Sequence, residues 1–362
     1  MKPYLIVSDL HCHAWSQFAT TTFSGINSRL QVILDELVRA ANELLARGGD
    51  TMIVAGDVFH VRGAIDPEVF NPVHQTFKGI LASGVKIIAI PGNHDLKGKD
   101  TTEIGNAFQS LGSLEGFKVV TDWVAMSLEC GNIVFVPWQA TKAQLREKIR
   151  TIIEELPGNA ANAAQCDLIM HVGIDGMLDG VPASGLSAAE VASWGFKRVF
   201  AGDYHNHRVA EGGKVISIGA TTHQTWSDIG SKAGFLLVTD DEVKFHASHA
   251  PSFIEITGED DPDDIPLMVD GNYVRVREMK LTDAEIKLFR ENLEEMGARG
   301  VTFQVAREIV GARTGSAAVK AETLDESVGK FVDTMSFDDP AMFPLVKALV
   351  VDVLNTVRSV SA

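Results

Sequence analysis

Short runs of consecutive apolar residues alternate along this chain with longer stretches whose apolar positions recur every third or fourth residue. The first kind reads as buried strands and the second as amphipathic helices. Tyr4-Leu5-Ile6-Val7, Met52-Ile53-Val54-Ala55 and the run from Val85 to Ile90 predict strands. Between them, Leu30, Ile33, Leu34, Leu37, Val38, Ala41, Leu44 and Leu45 fall on one helical stripe, and residues 69–81 predict a second helix. A βαβαβ start of this kind predicts an α/β fold, with a central sheet covered by helices. Residues 117–136, 198–218 and 234–246 carry shorter strand-like runs with glycine-rich turns. The sheet is therefore expected to be mixed, or to consist of two packed layers.

The acidic run Gly258-Glu259-Asp260-Asp261-Pro262-Asp263-Asp264 reads as a linker. Beyond it, Tyr273 to Arg277, an amphipathic stretch over 283–296 and the run from Val301 to Val305 predict a small α/β unit. The expected division is 1–257, a linker at 258–266, and a C-terminal α/β capping domain at 267–362. That last part ends in a helical apolar stripe, Met342, Leu345, Val346, Leu349, Val353 and Val357.

Composition excludes several classes. With 362 residues, 45% hydrophobic and 22% charged, the chain can bury a sizeable core. The apolar run near its start is too short for a signal sequence, and no stretch approaches the roughly 20 apolar residues of a membrane span. A cytoplasmic protein is the expectation. The three cysteines, Cys12, Cys130 and Cys166, form no CxxC pair, which argues against thiolate zinc and a disulfide framework. A net charge of −16 disfavours diffuse binding to polyanions and leaves room for a local basic track.

Polar residues of metal-ligating type cluster immediately after the predicted strands. Asp9 and His11 follow the first strand, Asp57 and His60 the second, and Asn93, His94 and Asp95 the third. His171 follows Leu168-Ile169-Met170, and the pair His205 and His207, within GDYHNHR, follows the strand at 198. Ligands bind at the C-terminal strand edge of open α/β sheets, where loops converge on fixed roots. Carboxylate, imidazole and amide donors without thiolate suit manganese, iron or zinc, and Asp57 is available to bridge two ions.

The ordered set DxH, GDxxH, GNHD, a single His and HxH, from Asp9 to His207, resembles the calcineurin-like metallophosphoesterases. That resemblance implies a two-layered mixed β core flanked by helices. It also implies two Mn²⁺ ions (or Mg, Fe or Zn) per chain, the first on Asp9, His11, Asp57 and His207, the second on Asp57, Asn93, His171 and His205. Two such ions clamp phosphate oxygens and convert a bridging water into the attacking hydroxide. His94 is then the general acid, with Asp95 orienting or charging its imidazole and His60 steadying the substrate or the bridging water.

Within the superfamily, GDVFH, the strand after HxH, the small cap and the terminal helix are similar to the SbcD-type DNA exonucleases, including phage recombination nuclease subunits. The implied activity is Mn-dependent phosphodiester hydrolysis in DNA recombination or repair, exonucleolytic and also endonucleolytic at ends. The implied partners are DNA, an SbcC-like coiled-coil ATPase and a second copy of the chain in a homodimer. A phosphodiesterase or phosphatase for nucleotides, cyclic nucleotides or phosphoproteins, and a non-catalytic scaffold, are the competing readings. Two departures stand out. The family writes GHxH, whereas Tyr204 directly precedes His205 here, and the first loop carries His13 beside His11. Tyr204, as a base-stacking ring, and Arg208 and His13, near phosphate, are expected substrate contacts, while Arg62, Lys97 and Lys99 lie close to the ligand loops.

Overall fold

The computed structural model describes residues 1–96, 107–156, 160–307, 333 and 342–349. They fall into two units, Met1–Arg307 and Glu308–Ala362. The first unit opens with β1 (Tyr4–Val7), α1 (Ser28–Ala46), β2 (Thr51–Val54), α2 (Pro67–Ala82), β3 (Lys86–Ala89) and β4 (Phe117–Val119). A second series follows: β5 (Val124–Leu128), β6 (Gly131–Val136), α3 (Lys142–Glu155), α4 (Ala160–Ala163), β7 (Cys166–His171), α5 (Ala188–Ser193), β8 (Arg198–Gly202), β9 (Arg208–Ala210) and β10 (Val215–Ser217). The chain then returns through β11 (Gly234–Val238) and β12 (Val243–Ala247).

Two six-stranded mixed sheets result, ordered β12-β11-β1-β2-β3-β4 and β5-β6-β7-β8-β10-β9. In the first, β1 to β4 run parallel and β11 and β12 are added antiparallel at one side; in the second, the four central strands run parallel and the two edge strands are antiparallel. The strand period of two explains how one short run serves two cores. Leu5 and Val7 of β1 face α1 and α2, packing with Leu34, Leu37 and Phe77. Tyr4 and Ile6 face the other sheet, packing with Phe135, Ile169 and Phe200. Helices α3 and α5 cover the outer face of the second sheet through Leu145, Ile149 and Val191. Strands buried on both faces must be apolar throughout, which is why they read as uninterrupted runs.

One polar clasp crosses this double layer. The Tyr4 hydroxyl donates to Asp167 Oδ2 at 2.6 Å, and Arg198 grips the same carboxylate through Nε at 2.8 Å and Nη2 at 2.6 Å. All three residues are buried. Removing the carboxylate leaves the buried Tyr4 hydroxyl without this acceptor and the Arg198 cation without its counter-charge, with Nη1 still on the Thr239 carbonyl at 2.8 Å. Asp167→Ala is therefore expected to cost about 3–5 kcal/mol of stability, read as a lowered denaturant midpoint. An unchanged midpoint would show the clasp to be energetically idle.

The first unit ends in a small parallel sheet, β13 (Phe253–Ile256), β14 (Tyr273–Leu281) and β15 (Gly300–Arg307), crossed over by α6 (Ile265–Val269) and α7 (Asp283–Glu295). The acidic run lies inside it, because β13 before the run pairs with β14 beyond it. Ile256 accordingly shares a core with Val274, Val276, Leu293 and Val301. Arg29 on α1 joins this sheet to the rest of the unit, its guanidinium lying 5.0 Å from Phe253, 5.1 Å from Trp15 and 5.4 Å from Tyr273. In the second unit, residues 342–349 are helical, with Met342, Leu345 and Leu349 exposed, while Val353 and Val357 lie outside the described residues. No helix among the described residues is long and apolar enough to cross a membrane.

Candidate metal centre

Each sequence-derived cluster leaves the C-terminal end of a parallel strand: Asp9 and His11 after β1, Asp57 after β2, Asn93 and His94 after β3, His171 closing β7, and residues 203–207 after β8. The backbone there is bent hard. Asp9 (φ 51°), His11 (φ 45°), Asp57 (φ 54°) and Asp203 (φ 88°) all have positive φ without being glycine. Such conformations persist only where surrounding contacts impose them, and they gather at functional sites.

Side chains from both sheets meet at this edge. His11 Nε2 lies 3.9 Å from Asp9 Oδ1, 3.7 Å from Asp57 Oδ2 and 3.1 Å from His205 Nε2. His171 Nε2 lies 3.4 Å from Asp57 Oδ2, 3.1 Å from Asn93 Oδ1 and 3.9 Å from Asp203 Oδ1. Among the described residues, ligand-type atoms of Asp9, His11 and His205, of Asp9, Asp57 and His171, and of His11, His60 and His94 each lie within 4.8 Å of one another. Asp9 and Asp57 stand between two neighbouring foci.

The second atoms of the rings are fixed elsewhere. His171 Nδ1 bonds the Ala55 carbonyl at 2.7 Å, and His205 Nδ1 bonds Asp228 Oδ1 at 2.7 Å. Both rings therefore present Nε2 to the site, as metal-ligating histidines do when an outer oxygen holds the far nitrogen. Burial works against a charged His205, but Asp228, Asp9 and Asp57 outweigh it and lift its pKa to about 9. His11 moves the other way, to about 3, because burial dominates and the neighbouring imidazoles add to it against the pull of Asp57. Asp57 is held below the usual carboxylate range: burial opposes ionisation, but His171, His11 and His94 outweigh it.

The donor set fits divalent cations. Asp9 Oδ1 and His11 Nδ1 are buried without a hydrogen-bond partner. Unsatisfied buried polar atoms are costly, and a cation between these carboxylates and imidazoles removes that cost. Asp228 was not singled out from the sequence, since nothing about its position 23 residues beyond His205 marks it as that ring's partner. Asp228→Asn is expected to weaken cation binding by about 10–100-fold in a calorimetric titration, the usual effect of losing an outer-shell carboxylate. Wild-type affinity in that variant would reduce the contact to a structural one.

Several expected roles change. His207 is in none of the three groups: its ring stacks on Phe245 at 4.3 Å and Nδ1 bonds the Ser217 carbonyl at 2.9 Å. His205, not His207, joins Asp9 and His11. The reason lies in the loop's register. A Cβ on Gly202 would sit 2.7 Å from His171 Nδ1 and closer still to Ser8 Oγ, so the glycine this loop needs is Gly202. Counted from Gly202, the stretch GDYH has the spacing of GHxH, with Asp203 at the position of the first histidine, and sequence reading did not single out Asp203, whose Oδ1 lies 3.9 Å from His171 Nε2. Asp95 does not hold His94. Its carboxylate accepts the backbone N–H groups of Asp57 (2.7 Å), Gly92 (2.9 Å) and Phe59 (3.1 Å), pinning the second and third loops together. Burial first, and then Asp57, lift the Asp95 pKa to about 7.

His94 is anchored by Nδ1 on the His60 carbonyl at 2.7 Å, and its backbone N–H donates to Asp57 Oδ1 at 2.8 Å. Around it stand the rings of His11 (4.8 Å), His60 (5.5 Å) and, past His60, Trp15 (4.5 Å) and His13 (5.2 Å). Tyr204 leans on Gly173, where an added Cβ would lie 2.6 Å from its ring. Arg208 is engaged by Asp179 at 2.8 Å. Lys97 and Lys99 lie outside the described residues.

Residues 2–142 match the calcineurin-like phosphoesterase family. The chain is 24% identical over 204 residues to exonuclease subunit 1 of Enterobacteria phage T4, a match covering 56% of this chain and 56% of that protein's length. Among solved structures, a dimetal phosphatase from Danio rerio aligns over 66% of this chain and 93% of its own, with a TM-score of 0.39 and 10% identity.

Proposed function

We propose that this chain, which carries a calcineurin-like metallophosphoesterase domain, is a two-cation phosphodiesterase that hydrolyses DNA, with manganese as its working metal. The observation that carries the reading is the convergence of Asp9, His11 and His205 on one focus and of Asn93 and His171 on the next, with Asp57 reaching both and His94 alongside. The first group would hold one cation with Asp57, and Asn93 and His171 the other with Asp57. Bound there, the pair would supply Lewis-acid neutralisation of phosphate oxygens and a water acidic enough to react near neutral pH.

The chain's own residues supply the rest. His94 Nδ1–H donates to the His60 carbonyl, which fixes the ring and leaves Nε2 to carry the proton that a leaving alkoxide needs. Asp95 holds the backbone that presents Asp57 and His94, so its role is positioning. The rings of His13, Trp15 and His60 form a wall beside His94 on which an unpaired base can stack. A nucleic-acid substrate is also in keeping with the phage relative, whose name is that of an exonuclease. A coiled-coil ATPase and a second copy of the chain are the proposed protein partners, the former on the exposed Met342, Leu345 and Leu349 stripe.

The discriminating experiment offers end-labelled single- and double-stranded DNA, a cyclic nucleotide, bis(p-nitrophenyl) phosphate and a phosphopeptide in parallel, each with Mn²⁺. DNA is expected to show the highest kcat/KM. Turnover of the phosphopeptide or cyclic nucleotide with DNA left intact would overturn the substrate assignment.

A further inference from the structure

The geometry points to Asp203 as a direct ligand of the second cation, in the place where an imidazole would stand in a GHxH loop. The inference rests on the two-cation reading and assigns a donor that the reading lacks. His171 Nε2 has Asn93 Oδ1 at 3.1 Å, Asp57 Oδ2 at 3.4 Å and Asp203 Oδ1 at 3.9 Å. Neighbouring donors in an octahedral shell with bonds of about 2.1 Å stand about 3 Å apart. Three oxygens thus lie within 3.9 Å of His171 Nε2, and the Asp203 carboxylate, which belongs to none of the three 4.8 Å groups, would have to swing inward to complete the shell.

Asp203 is held for this task. Its backbone N–H donates to Asp9 Oδ2 at 3.1 Å, tying the loop after β8 to a proposed ligand of the first cation. Its φ of 88° is a conformation that a non-glycine residue keeps only under constraint. Gly173 makes room, because a Cβ there would lie 2.7 Å from Asp203 Oδ2. The independent sign that a cation belongs at this edge is Asp9 Oδ1, fully buried and without a hydrogen-bond partner.

The consequence is a difference between the two centres. The first would have two carboxylates and two imidazoles: Asp9, Asp57, His11 and His205. The second would have Asp57, Asp203 and Asn93 as oxygen donors against the single imidazole of His171. Oxygen donors favour manganese and magnesium, whereas imidazole suits zinc, so the carboxylate biases the second centre away from zinc.

The test is calorimetric titration of the metal-stripped protein with Mn²⁺ and, separately, Zn²⁺, with the cation-free melting temperature checking each fold. Wild type is expected to bind two Mn²⁺. Asp203→Asn should retain one site and lose more than the 10–100-fold typical of an outer-shell carboxylate at the other. Asp203→His should regain two sites with the Zn²⁺ to Mn²⁺ preference of the second raised at least about ten-fold. Two wild-type Mn²⁺ affinities in Asp203→Asn would overturn the inference and leave the two-cation reading standing. Fewer than two sites in wild type would remove that reading itself. If Asp203→Asn does not fold, an unaltered metal preference in Asp203→His overturns the inference in its place.

Discussion

Replacing His94 with glutamine is expected to lower kcat on DNA by about 10²–10⁴-fold while leaving two cations bound. Glutamine keeps the bulk and a donor toward the His60 carbonyl, which His94 Nδ1 meets at 2.7 Å, but cannot release a proton. The backbone N–H of the same residue still reaches Asp57 Oδ1, so the loop should hold its place. The defect should shrink on a substrate whose leaving group needs no proton, such as a p-nitrophenyl ester. Full activity of the variant on DNA would exclude His94 as the acid. Loss of cations along with activity would make it a structural residue.

Asp57→Asn is expected to have the larger effect on binding, because this side chain faces both foci: Oδ2 lies 3.7 Å from His11 Nε2 and 3.4 Å from His171 Nε2. A neutral amide offers each cation a weaker donor and removes the charge that opposes their mutual repulsion. Equilibrium dialysis against Mn²⁺ should give fewer than one ion per chain, and DNA cleavage should fall to background. The cation-free variant should be less stable than wild type, read as a lowered denaturant midpoint, because the imidazoles of His171, His11 and His94 favour the Asp57 charge in the folded state and lose it here. Retention of two ions would show that Asp57 does not bridge.

Much of this was legible in the sequence because the site is built on buried parallel strands. Tyr4 to Val7 and Met52 to Ala55 are apolar throughout, so the Asp and His residues following them mark the strand ends. The layered α/β architecture follows from the same runs. What the sequence concealed is local geometry. GDYHNHR offers two histidines one residue apart, and the resemblance to the metallophosphoesterases implies both as ligands, although only His205 lies in one of the three groups of ligand-type atoms. The deciding contact, Gly202 against His171, is tertiary and has no sequence periodicity. Asp95 looked like a partner for the adjacent imidazole, yet its three bonds go to backbone N–H groups on two loops, where no side-chain pattern advertises them. The placing of β13 before the acidic run was hidden likewise, because charge and proline signal a turn without saying that the strands on either side pair.

The central claim is that two cations sit side by side at this strand edge and share Asp57. An anomalous difference map from a crystal soaked in Mn²⁺ tests it most directly. The account predicts two peaks, one against Asp9, His11 and His205, the other against Asn93 and His171, with the Asp57 carboxylate between them. A single peak, or two that do not share Asp57, would contradict it.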